Sequence, residues 1–120
     1  MRRAHVALPL PKGGEAEARR FYGQLLGFKE VMKPASLASR GGVWFDVEGF
    51  QVHLTPDEHA AARPPGTGAR PAFEVTDAEA LRQDLSRRQV NVSDAPPLPG
   101  FRRFYVLDPF GNRLEFLQKA

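Results

Sequence analysis

The sequence predicts an α+β protein of two βαβββ modules whose mixed sheets together form a cup. Three observations carry that prediction. The order strand, helix, strand, strand, strand occurs twice along the 120 residues. Each helical segment gathers its apolar residues on one face, while the strands alternate apolar with polar positions. The halves also align: "HVALPL" falls on "RPAFEV", setting His5 on Arg70 and Ala7 on Ala72, and "GFQVHL" falls on "GNRLEF", setting His53 on Glu115. Two divergent copies of one unit of roughly sixty residues account for this.

In chain order, residues 3–10 alternate as a strand, with Val6 and Leu8 on one face and His5 and Ala7 on the other. From Glu15 to Leu26 the positions Ala18, Phe21, Tyr22, Leu25 and Leu26 keep helical spacing, and Gly27 supplies a left-handed stop. Residues 29–33 extend as a short strand, and Pro34 to Gly42 is a loop. "VWFDV" and "QVHLT" are strands joined by a turn at Glu48-Gly49. Module one spans about 1–61, and the Pro/Gly-rich connector about 62–71. Module two, about 72–120, opens on the strand "AFEV". Thr76 with Glu79 reads as a capping box for a helix that turns Ala78, Leu81 and Leu85 inward. "QVNV" resumes extended structure, and "RFYVL" and "RLEFL" close the chain as a hairpin around "DPFGN".

Composition narrows the function. A hydrophobic fraction of 42% and a charged fraction of 26% suit a folded soluble domain. The net charge of +3 is spread over separated arginine pairs, so no nucleic-acid partner is expected. With no cysteine there is no thiolate metal site and no cysteine nucleophile, and the chain fits a reducing compartment. The apolar stretch near the start is cut by two prolines and Lys12, too short for a leader or a membrane span. A cytoplasmic location follows as the expectation.

Strand parity selects the candidate residues. Same-parity residues share a face, so Gln51, His53 and Thr55 point away from Val52 and Leu54, and Arg113, Glu115 and Leu117 away from Leu114 and Phe116. With the modules facing one another, His5, His53 and Glu115 would converge: two imidazoles and a carboxylate, the ligand types of a metal site with open positions. Tyr105, Arg103 and Arg113 are further polar-face candidates, one of Trp44 and Phe45 should join them, and Glu74 and Asp46 are spare carboxylates.

The segments "HVALPLP", "ARRFYGQLLGF", "GGVWFDVEGFQVHL" and "FYVLDPFGNRLEF" resemble the vicinal oxygen chelate superfamily, the glyoxalase/bleomycin resistance/dioxygenase group, over nearly the whole chain. The resemblance implies the same two-module fold, a homodimer and a small-molecule ligand. It also implies a divalent metal (Zn, Ni, Mn or Fe) at His5, His53 and Glu115, with Glu115 catalytic in a glyoxalase-type lyase, isomerase or transferase. The family's remaining ligand position falls on Arg70, whose guanidinium stays protonated and cannot ligate. Two main readings follow. Either His5, His53 and Glu115 hold the metal while Arg70, Gln51, Tyr105 and Arg113 bind an anionic substrate, or Arg70 pairs with Glu115 in a metal-free binding or sequestering protein. In a third, Arg70 only faces solvent.

Overall fold

Glu48 and Gly49 both adopt positive φ, 50° and 89°. That is the two-residue turn whose twist matches an antiparallel hairpin. It joins β3 (Val43–Val47) to β4 (Phe50–Pro56), with Val47 opposite Phe50, and Asp46 Oδ2 accepts the Gly49 N–H at 3.3 Å. In the computed structural model, which describes residues 1–120, the chain divides into two compact units, Met1–Arg63 and Pro64–Ala120.

In the first unit, β1 (His5–Leu10) runs parallel to β4, and β2 (Lys29–Val31) pairs with β3, giving the sheet order β1-β4-β3-β2. One sheet face and the helical segment share a core of Leu8, Leu10, Phe21, Tyr22, Val43, Phe45, Val52 and Leu54. The helix differs from the one expected. Only α1 (Glu15–Ala18) is α-helical, and Arg19–Leu25 continue as a π-helix. The wider π turn reduces the angle between consecutive side chains, which suits the burial of the adjacent Phe21 and Tyr22. Gly27, at φ 78°, then ends the segment, and the Phe28 N–H returns to the Tyr22 carbonyl at 2.9 Å. Within the expected loop, Ala35–Arg40 wind as a 3-10 helix.

The second unit repeats the plan. β5 (Ala72–Glu74) runs parallel to β8 (Arg113–Lys119), which pairs with β7 (Phe101–Leu107), which pairs with β6 (Asn91–Asp94). The order β5-β8-β7-β6 matches the first sheet. α2 (Ala78–Arg87) covers one face, where Ala78, Leu85, Phe104, Val106, Leu114 and Phe116 are buried. Its N-cap is Asp77, whose carboxylate accepts the Ala80 N–H at 3.0 Å, in place of the expected Thr76. Asp and Ser/Thr compete as caps, and the residue one step nearer the helix takes the role. From Pro64 onward the connector belongs with this unit, and the Gly66 N–H donates to the Gly111 carbonyl at 2.8 Å. No helix is long and apolar enough to cross a membrane.

Candidate functional site

The ladders fix where the candidate residues stand. In the first unit Ala7 lies opposite His53, and His53 opposite Trp44. In the second, Ala72 lies opposite Glu115, and Glu115 opposite Tyr105. The hydrogen-bonded register therefore reproduces the alignment of the halves at Ala7 with Ala72 and His53 with Glu115, and adds the equivalence of Trp44 with Tyr105.

On the first unit's polar face the rings stack. His53 lies against Trp44 with centroids 3.8 Å apart and planes 1° from parallel, and against His5 at 4.1 Å and 12°. Trp44 thus joins the polar face while Phe45 is fully buried on the other. Gln51 Oε1 lies 2.8 Å from His53 Nε2. His53 is 8% exposed, and burial, with a smaller effect of neighbouring His5, pushes its pKa down to about 4. The imidazole is neutral at neutral pH.

On the second unit's polar face the chemistry is ionic. Glu115 is 7% exposed, and Arg103 Nη1 donates to its Oε1 at 3.4 Å. Arg70 Nε lies 3.9 Å from the same oxygen. Arg103 is itself anchored, because its Nε and Nη2 donate to the Pro96 carbonyl at 3.0 and 2.7 Å. The guanidinium carbons of Arg70, Arg113 and Arg103 stand 4.9, 5.0 and 5.8 Å from the Tyr105 ring centroid. Such placement over an aromatic face is attractive. The "DPFGN" turn aims this strand: Asp108 Oδ1 accepts the N–H groups of Phe110 and Asn112 at 2.8 Å each, and Asn112 Nδ2 donates to Asp108 Oδ2. Leu107 then meets Arg113, with Glu115 two residues further on the same face.

These arrangements bear on a metal. A ligating imidazole holds its metal near the ring plane, about 2.1 Å from nitrogen. The nearly parallel planes of His5 and His53 share no such point, and His53 Nε2 already faces Gln51. Within neither unit do three His, Asp or Glu side chains form a metal-holding group. Glu115 is engaged by guanidinium groups. Within the first unit, His5 and His53 as arranged do not fit one divalent ion between them.

The spare carboxylates are engaged elsewhere, Glu74 near Lys119 at 3.8 Å and Asp46 in its hairpin turn. His59 is exposed beside Glu58. The close Arg103–Glu115 contact was not foreseen, although parity had put Arg103 on the polar face. Only the strand register, which sets Arg103 opposite Leu117 and two pairs along from Glu115 on the same face, could have signalled it.

The profile of the Glyoxalase/Bleomycin resistance protein/Dioxygenase superfamily matches residues 2–116. The chain belongs to that superfamily. A solved glyoxalase family protein from Bacillus anthracis is 38% identical over 100% of this chain and 96% of its own, with a TM-score of 0.91. A glyoxalase/dioxygenase from Nostoc punctiforme shares the fold at 19% identity, with coverage of 99% and 91% and a TM-score of 0.82. So does the fosfomycin resistance protein FosX from Listeria monocytogenes, at 13% identity, 100% and 94% coverage and a TM-score of 0.77. No curated protein matches the chain. The glyoxalase-superfamily fold is thereby established, and the βαβββ order of each unit is its expression here.

Proposed function

We propose that this glyoxalase-superfamily protein binds a small organic anion without a metal. The observation that carries the reading is the engagement of Glu115 by Arg103 and Arg70. A nearly buried carboxylate needs a positive partner, and here guanidinium groups supply what a metal would otherwise supply. Arg70, Tyr105 and Arg113 form the binding face, and Gln51 is a polar contact on the first unit's face. A catalytic Glu115 would first have to leave its arginine partners.

The competing reading is a lyase, isomerase or transferase holding Zn, Ni, Mn or Fe at His5, His53 and Glu115. Its favouring observation is that His53 is neutral, as a ligating imidazole must be. A cytoplasmic homodimer accompanies either reading, and sedimentation across micromolar concentrations tests the dimer.

The deciding experiment is calorimetric titration of small carboxylates into protein stripped of metal with chelator and then freed of chelator. Binding should persist without metal and weaken about tenfold in Arg70→Ala. Binding that appears only on adding one equivalent of divalent metal, and that His5→Ala abolishes, would overturn the proposal.

A further inference from the structure

The charges around Tyr105 do not balance. Three guanidinium groups surround the ring, and one carboxylate, Glu115, answers them. Glu115 lies near Arg103 and Arg70; Arg113 forms no ion pair, and its Nε is buried with no hydrogen-bond partner. An arginine nitrogen withdrawn from water and left unpaired is costly unless something else meets it.

The backbone holds Arg113 in this position. Gly66, at φ 81°, lies so close that a Cβ there would come within 2.8 Å of Arg113 Nη2 and 3.0 Å of its Cζ. Gly66 is fixed in turn by its N–H bond to the Gly111 carbonyl. The connector thus forms a glycine wall beside the guanidinium. The other two arginines differ in freedom: the Arg103 side chain is 15% exposed and hydrogen-bonded to Pro96, whereas that of Arg70 is 46% exposed and held only by the long contact to Glu115 and its placement over Tyr105.

From this asymmetry we propose that the second unit's polar face takes a doubly charged oxyanion group. Arg113 is its principal hook, Arg70 a movable second arm, and Arg103 a fixed positive backing. Two excess positive charges call for two negative ones, and guanidinium forks match paired oxygens on one phosphorus or on two neighbouring carboxylates. The inference rests on the proposed binding of a small organic anion and narrows it to dianions. Glu115 is here a positioning residue that keeps Arg103 and Arg70 apart from one another and aimed over Tyr105.

The test is calorimetric titration, at constant ionic strength, with inorganic phosphate, malonate and acetate as probes. Phosphate or malonate should bind at least tenfold more tightly than acetate, and whichever is tighter identifies a phosphoryl or a dicarboxylate head. Arg113→Ala should abolish that preference. Arg113→Lys, which keeps the charge and stem but loses the fork, should reduce dianion affinity several-fold and serves if the alanine variant does not fold. Arg82→Ala, which removes an α2 arginine paired with Asp94 of β6, should leave it unchanged. Acetate binding as tightly as the dianions, or affinity unaltered in both Arg113 variants, would overturn the dianion assignment while leaving the broader binding proposal intact. Failure of all three probes and of other small organic anions would overturn both.

Discussion

Trp44 and His53 lie face to face, with ring centroids 3.8 Å apart and planes 1° from parallel. Trp44 is the only tryptophan in the chain, so its fluorescence reports on this one imidazole. Protonated imidazole quenches indole emission more strongly than the neutral ring. Emission should therefore fall on acidification with a midpoint near pH 4, the value to which burial pushes His53. A midpoint near 6.5 would show that the ring is not held in the stack. His53→Gln should abolish the transition.

The same residue sets a pH dependence of stability. Its pKa falls from an ordinary 6.5 when unfolded to about 4 when folded. Between those values the unfolded chain binds the proton and the folded chain does not, so stability rises with pH across that window. The contribution is complete above the unfolded pKa and is lost as pH falls toward the folded one, on the order of 3 kcal/mol in all. Urea titrations at several pH values, with His53→Gln as reference, should reveal a slope that the variant lacks.

The two arginines beside Glu115 should not count equally. Arg103 is largely buried and makes the shorter contact, 3.4 Å against 3.9 Å for Arg70. Arg103→Ala leaves a buried carboxylate poorly compensated and should cost about 2–3 kcal/mol. Arg70→Ala removes a half-exposed partner and should cost less than about 1 kcal/mol. Chemical denaturation of the two variants measures the difference, and equal costs would refute the ranking.

Gly42 should tolerate no side chain. Its φ is 85°, and a Cβ would collide with the Leu54 backbone carbonyl on the neighbouring strand. Its N–H also donates to Glu15 Oε2 at 2.7 Å, the main reason that carboxyl sits below its usual pKa. Backbone strain and overpacking together put Gly42→Ala at about 2–4 kcal/mol, to be read from thermal or urea unfolding. Gly49→Ala, with nothing within 4 Å of the added Cβ, faces conformational strain alone and should cost less.

Strand parity and the internal alignment were enough to put Ala7 and His53 on one face of the first sheet and Glu115 on the matching face of the second, because side chains alternate with a period of two. That Ala7 stands opposite His53, and Ala72 opposite Glu115, came only with the structure, since a slip of two residues keeps the same face. What parity cannot convey is how far a long side chain reaches. Arg103 bonds Pro96 and Glu115 at once, and nothing in its spacing distinguishes it from any exposed arginine. The π-helical turn at Arg19–Leu25 was hidden for another reason: its apolar spacing is nearly that of an α-helix, and tertiary packing selects between them. The choice of Asp77 over Thr76 as cap turned on a single residue of offset. The pair of histidines suggested ligands because residue type is visible in a sequence, whereas ring orientation is not.

The shared register has an evolutionary consequence. Positions 53 and 115 are interchangeable slots in one backbone frame, as are positions 44 and 105. Pairing along the ladders is made by main-chain groups, so it does not depend on which side chain fills a slot. A duplication of one unit would leave each half free to carry a different chemistry at the same address, as here: an indole stacked on an imidazole in the first, a carboxylate among guanidinium groups in the second. Transplanting the pair Trp44 and His53 into positions 105 and 115, or the reverse, would ask the frame to accept only what it already carries elsewhere in the same chain.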